Sequence, residues 1–311
     1  MKCFMKTKIP FFLSVWVMPL LALEVEDLSW ENTGPSAQEF NGYLQQATET
    51  EDWWSVIDYA GILSYHFATS PFAQDTAFVI GEAYFKLGHL LIANDYFTTY
   101  LNHSTTPKRF EEAIALKFAI AERFHHGEKK PLFHSHKAPK MLSAKEDALV
   151  IYDEVIATLP HSEYATQSLL SKAQIQAELE DYKPSLETLD LLIRRFPKHE
   201  LAAAAYLEKI HVYHMQCEGQ SLDPDLLDLA DVTIRKFRLA FPREPRLVQA
   251  ETYIKEMGEI FAQNLLDTGA FFQKTKKTPA AAIYYKKTIA KYPQTAAALT
   301  AQEKLDEINA S

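Results

Sequence analysis

Four histidines crowd the stretch HHGEKKPLFHSHKAPKM, residues 125–141: His125, His126, His134 and His136. Imidazole suits zinc and copper(II), so this is the chain's clearest metal-type pattern. Structural zinc sites, however, hold their ligands rigidly and commonly include Cys. This stretch has Pro131 and Pro139, no Cys and no hydrophobic period, so the expectation is a solvated loop holding no metal. His211 and His214 stand three apart on one predicted helix face, with no third ligand in the pattern. They read as ordinary polar positions.

No catalytic constellation emerges either. The sequence contains no G-x-S-x-G, no H-E-x-x-H, no P-loop and no Gly-rich dinucleotide turn. Its carboxylates are interleaved with Lys and Arg at helical spacing, the pattern of a solvated face. The reading is a non-enzyme without a cofactor. The net charge of −9 comes with no basic stripe, which argues against nucleic acid. Trp53 and Trp54 read as packing at the start of a helix.

Residues 1–22 are expected to be a signal peptide. Lys2, Lys6 and Lys8 precede an apolar run from Ile9 to Leu23, too short to span a bilayer comfortably and right for a secretory signal. The alternative is an uncleaved anchor. Cleavage would remove Cys3 and leave Cys217 alone, so no internal disulfide is expected. Residues 22–25 read Ala-Leu-Glu-Val, without the Cys that a lipid-bearing N-terminus needs. Residues 23–35 read as an extended lead-in.

The elements that would position any site are helices. Only 9 of 311 residues are Gly, and Ala, Leu, Glu, Lys and Gln dominate. Four apolar-Pro pairs punctuate the chain: Leu159-Pro160, Phe196-Pro197, Phe241-Pro242 and Tyr292-Pro293. Twelve residues before each Pro is a small residue: Ala148, Ser185, Ala230 and Ala281. Eight before are Tyr152, Leu189, Ile234 and Tyr285, and five before are Val155, Leu192, Phe237 and Thr288. That is a helix with one buried face, its small residue marking where a neighbour comes close. A partner helix precedes it. Residues 74–107 supply Ala77, Ile80, Gly81, Tyr84, Ala93 and Phe97, which is the tetratricopeptide pattern of two antiparallel helices. Leu265, Gly269, Phe272, Ala281, Tyr285 and Pro293 repeat it, as do Leu169, Ala173, Tyr182, Ser185, Leu189 and Pro197.

Pro explains the punctuation. It disfavours α geometry at the residue before it, so the second helix stops there, and a cap can open the next unit. Ser162 and Thr295 are the expected caps, Ser143 with Glu146 an expected capping box, and Asp223-Pro224 and Thr278-Pro279 expected N-cap-plus-Pro starts. The fold class is therefore all-α, a tetratricopeptide-repeat solenoid of five to six helix pairs over residues 36–311. It carries a loop insertion at 125–141 and a capping helix near 295–309.

Such a solenoid lines its inner face with the first helix of each pair. In the best copy the positions off the core pattern are Phe78, Glu82, Phe85 and Lys86, a candidate partner-binding groove for an extended peptide. The alternative is that Phe78 and Phe85 simply pack on the first repeat.

Taken together, these residues resemble the BamD family, periplasmic lipoproteins of the outer-membrane β-barrel assembly machinery. The stretches that carry the resemblance are DWWSVIDYAGILSYHFATSPFAQDTAFVIGEAYFKLGHLLIANDYFTTYL (52–101) and LLDTGAFFQKTKKTPAAAIYYKKTIAKYPQT (265–295), with the aromatic-Pro punctuation between them. The resemblance spans roughly residues 36–305. It implies a scaffold on the inner side of the outer membrane, binding unfolded outer-membrane protein segments and a β-barrel assembly subunit. Two departures stand out: the missing lipid-bearing Cys, and insertions at 125–141 and near 217–225. Two other expectations compete: a periplasmic repeat protein coordinating cell-wall and envelope complexes, and a metal-handling protein using the His-rich loop.

Overall fold

The computed structural model describes residues 34–103, 107–132, 138–219 and 223–310. The expected signal peptide, all but the end of the lead-in, and His134 and His136 lie outside the described residues. The described chain is helical: α1 (Ala37–Glu49), α2 (Trp53–His66), α3 (Thr76–Lys86), α4 (Leu90–His103), α5 (Phe110–His125), α6 (Lys145–Thr158), α7 (Glu163–Glu178), α8 (Tyr182–Arg195), α9 (Glu200–Glu218), α10 (Asp225–Ala240), α11 (Arg246–Lys274), α12 (Thr278–Lys291) and α13 (Ala296–Ala310). Each odd-numbered helix from α1 to α11 packs on the even-numbered one that follows, giving six pairs, with α13 against α11 and α12. Helices α5, α7, α9, α11 and α13 also touch in succession, so first helices line one face.

The Pro-aligned positions are the core. Ala148, Ser185, Ala230 and Ala281 are fully buried, and so are Tyr152, Leu189 and Tyr285, with Ile234 nearly so. Each residue before the Pro closes its helix by leaving the α region: Leu159 (φ −130°, ψ 68°), Phe196 (−127°, 54°), Phe241 (−134°, 72°) and Tyr292 (−130°, 57°). Their side chains are half-buried, Phe241 edge-on to Tyr206 and Phe237, Tyr292 stacked on Phe261.

The turns inside five of the six pairs, all but that between α9 and α10, share a repeated device. Glu51, Gly88, Gly127, Glu180 and Lys276 all adopt left-handed φ, between 57° and 95°. The next residue's N–H then reaches back to a carbonyl five residues earlier: Asp52 to Ala47, His89 to Tyr84, Glu128 to Arg123, Asp181 to Gln176 and Lys277 to Phe272, at 2.8–3.0 Å. This is the Schellman closure of a helix C-terminus.

Several expected starts shift. Ser162 caps α7 through the Ala165 N–H (3.1 Å), and Thr295 accepts from Ala298 N–H (3.2 Å). The Ser143–Glu146 capping box does not form. Helix α6 begins one residue later, with Ala144 as its N-cap and no side-chain cap. Asp223 accepts from Asp225 N–H (3.0 Å), but Pro224, not Asp223, is the N-cap of α10; Lys277, not Thr278, is that of α12.

The insertions also differ from a bare loop. Helix α5 runs through His125, and after it β1 (Lys130–Pro131) pairs antiparallel with β2 (Lys140–Leu142), the one sheet among the described residues. The uneven step between Ala230 and Ala281 is taken up by helix: α11 has 29 residues. Its first half packs Ala250, Met257 and Phe261 against α9 and α10; its second half packs Ala262 and Leu266 against α12 and α13.

Candidate protein-interaction surface

The four predicted groove residues do not form a common surface. Phe78 is fully buried, packed on Phe97 and Tyr100 (centroids 5.5 and 5.4 Å) with the Arg109 guanidinium 3.8 Å above its ring. It is core, and no partner can reach it. Its packing is on α4 and the start of α5, not on the first pair. Glu82 is held by Arg109 (3.3 Å), which is itself clamped by Glu112 (2.6 Å). Phe85 is half-buried beside Arg123, 5.4 Å from its ring. Lys86 is the exposed one, and its ammonium lies 5.9 Å above the Trp53 ring.

Lys86 leads to the Trp53-Trp54 doublet, of which Trp53 packs on the core as expected and Trp54 is exposed. Asp52 caps α2 by accepting from Ser55 N–H (3.3 Å) and Ser55 Oγ (2.6 Å), and these hydrogen bonds hold its carboxyl below the usual range. That cap sets Trp53 and Trp54 side by side in the first turn. Trp54, 45% exposed, meets Tyr84 edge-on (6.4 Å) and His89 (5.9 Å), and Tyr84 stacks on Tyr96 (5.6 Å, 20°). A continuous aromatic band thus crosses α2, α3 and α4, with Trp54 its exposed end and Tyr84 and Tyr96 half-buried against the core. Tyr43 (43%), Phe72 (38%) and Tyr65 (81%) add exposed rings on the same N-terminal pair and its exit. The legible signal was the Trp-Trp doublet directly after an Asp N-cap. At the first turn of an antiparallel pair, one ring faces the partner and the next faces out.

Deeper in the solenoid, Lys117 of α5 is buried. Its ammonium donates to Asn94 Oδ1 (2.7 Å) and Thr98 Oγ1 (2.6 Å) and pairs with Glu154 (2.7 Å). Desolvation pulls its pKa down, against the pull of Glu154. This ties α4, α5 and α6 together and leaves no atom for a substrate. Cys217 is buried and its thiol pushed up to about 11 by that burial, the opposite of a reactive cysteine.

The histidines separate into two groups. His211 and His214 of α9 both pack on the Tyr253 ring of α11, at 5.0 and 5.2 Å. Glu208 lies 3.3 Å from His211 Nδ1, and Glu256 lies 3.2 Å from His214 Nε2. They are interhelix packing with carboxylate partners. His125 is the last residue of α5 rather than part of a loop, His126 is its C-cap, and Glu122 stands one turn before them. One ligand atom from each of the three lies within 4.8 Å of the others.

With this geometry in hand, comparison with known proteins is direct. The family model YfiO, described as outer membrane lipoprotein, matches residues 143–310, more than half of the chain. The chain belongs to this family, the one that includes the BamD lipoproteins. The match begins just after the hairpin and runs to the end of α13, narrower than the resemblance read over residues 36–305. Helices α1 to α5 lie outside it. No curated protein matches the chain. Among solved structures, a tetratricopeptide repeat protein from Parabacteroides merdae is 15% identical, over 88% of this chain and 99% of that one, with a TM-score of 0.38. The C-terminal part of a TPR repeat-containing protein from Cytophaga hutchinsonii is 11% identical, over 84% and 98%, with a TM-score of 0.21. Acl4, an assembly chaperone of RpL4, is 13% identical over 88% and 98%, with a TM-score of 0.26.

Proposed function

We propose that the chain is a non-enzymatic periplasmic scaffold, associated with the inner face of the outer membrane, that binds protein partners during assembly and insertion of β-barrel proteins. Membership of an outer membrane lipoprotein family supports the location and the general role. The observation that carries the binding role is the aromatic band from Trp54 through Tyr84 to Tyr96, with the exposed Lys86 over the neighbouring Trp53 ring. Aromatic residues at a surface give large contact area at low entropic cost and concentrate binding energy. Extended segments of barrel precursors alternate apolar and polar side chains and end without a packed partner, so they have both the rings and the free backbone that such a band accepts. On this reading α1 to α4 engage precursor segments, and the family-matched part, residues 143–310, docks the assembly subunit.

The test is a pull-down from envelope extracts with the full chain and with a Trp54→Ala, Lys86→Glu double variant. The proposal expects recovery of outer-membrane proteins and a barrel-assembly component by the wild type, with the double variant losing the outer-membrane proteins and keeping the assembly component. Recovery of cell-wall synthesis proteins and no barrel component overturns it.

A further inference from the structure

The C-terminal end of α5 carries an arrangement that scaffolding does not use. Glu122, His125 and His126 occupy positions i, i+3 and i+4 of the last turn, and one ligand atom from each falls within 4.8 Å of the others. Three features set this apart from a chance grouping.

First, the carboxylate is oriented from outside. Glu122 Oε1 accepts from the Tyr152 hydroxyl of α6 (2.5 Å) and from the Ser171 hydroxyl of α7 (2.8 Å), two donors from two other helices. The second oxygen, Oε2, is the one on the His126 side, 3.9 Å from Nδ1. Second, His126 Nδ1 lies 2.7 Å from the Glu122 backbone carbonyl. A carbonyl only accepts, so Nδ1 carries the proton and Nε2 keeps its lone pair. Metal-bound histidines commonly make this same bond with the non-ligating nitrogen. Third, His125 Nδ1 is buried and has no hydrogen-bond partner among the described residues. A buried orphan of this kind is costly unless something takes it up. The helix end adds its partial negative charge, which favours a cation. His126 is 73% exposed, so the approach is open.

We infer that Glu122, His125 and His126 form a divalent transition-metal site. Two imidazoles and a carboxylate suit Zn²⁺, with water completing the tetrahedron. Calcium and magnesium prefer all-oxygen shells and are excluded by the donor set. Nearby Lys145 is committed to Glu178 (2.7 Å), and Arg123 to Glu128 (2.6 Å). Because Glu122 is bonded to its pair partner α6 and to α7 of the next pair, bound metal would lock the end of α5 to both.

The experiment is calorimetric titration of the chelator-stripped full chain with Zn²⁺, with metal analysis after dialysis and a thermal scan. The inference expects one Zn²⁺ per chain and a raised melting temperature. His126→Ala, at an exposed position, should keep its circular dichroism and bind at least tenfold more weakly. Glu122→Gln should do the same, and His134→Ala with His136→Ala should leave the affinity unchanged. Absence of stoichiometric binding overturns the inference. So does binding that survives His126→Ala and disappears with the His134, His136 double variant.

Discussion

Gly269 of α11 faces Tyr285 of α12 so closely that a Cβ at that position would lie 2.5 Å from the ring's Cε1. Gly81 stands in the same relation to Phe97, at 2.9 Å. In both pairs the glycine precedes the ring by the same interval, and the flat ring replaces the missing side chain. The Tyr285 hydroxyl is then placed to donate to Gln273 (2.7 Å).

Gly269→Ala and Gly81→Ala should each lower stability by about 1–3 kcal/mol through overpacking. That outcome runs against Ala's helix advantage of about 1 kcal/mol. Gly42, where an added Cβ meets nothing within 4 Å, provides the contrast: Gly42→Ala in α1 should raise stability by up to about 1 kcal/mol. Denaturant midpoints of the three variants check the set, and a destabilised Gly42 variant would contradict it.

Ala281 lies at the meeting of α11, α12 and α13 and is fully buried. Ala281→Leu should cost about 1–3 kcal/mol. An unchanged thermal midpoint would mean that the last pair is packed in another register.

The left-handed residues offer changes of the opposite sign. Glu51, Glu180 and Lys276 hold φ of 57°, 62° and 61° with a side chain attached. Replacing each by Gly should stabilise by about 1 kcal/mol, since the left-handed penalty is removed and the Schellman bonds are kept. Urea unfolding of the triple variant checks additivity across three separate turns.

Phe78→Ala should destabilise by about 3–5 kcal/mol, because its ring fills the centre of the second pair. Trp54→Ala, at a half-exposed position, should weaken partner capture at much smaller stability cost. A binding assay run alongside thermal scans separates the two. Equal loss of binding at equal retained fold would contradict the division between core and surface.

His211 is held above its ordinary pKa chiefly by its hydrogen bond to Glu208, with the Glu208 and Glu218 charges adding to the effect and burial opposing it. Tyr253, His214 and Glu256 complete its surroundings. A raised folded-state value means that the stability contribution is full below pH 6.5 and fades as pH rises through the folded pKa. The imidazole resonances of His211 should titrate above 6.5, and Glu208→Gln should bring the midpoint down.

Much of the fold was legible because two constraints leave marks in composition. Pro disfavours α geometry at the residue before it except in a helix's first turn, where Lys183 and Thr278 stay helical, so Leu159, Phe196, Phe241 and Tyr292 announced the ends of α6, α8, α10 and α12. Close helix approach demands small residues, so Ala148, Ser185, Ala230 and Ala281 announced the seams. The turns inside the pairs were less visible, because Glu51, Glu180 and Lys276 adopt a glycine's conformation without being glycine. The groove was misread at Phe78 for a physical reason. Off-pattern positions are solvent-facing only when the neighbouring pair leaves them uncovered, and Arg109 at the start of α5 reaches over that ring. The proposed site at Glu122 left no full mark in the sequence, because the donors that orient its carboxylate, Tyr152 and Ser171, lie far along the chain.

The length of α11 has a mechanical corollary. At about 1.5 Å per residue, its 29 residues make a strut roughly 43 Å long. One part is embedded with α9 and α10, the other with α12 and α13, and no turn intervenes. A load placed on the final helices is therefore delivered as torque to the middle of the molecule instead of being absorbed at a joint.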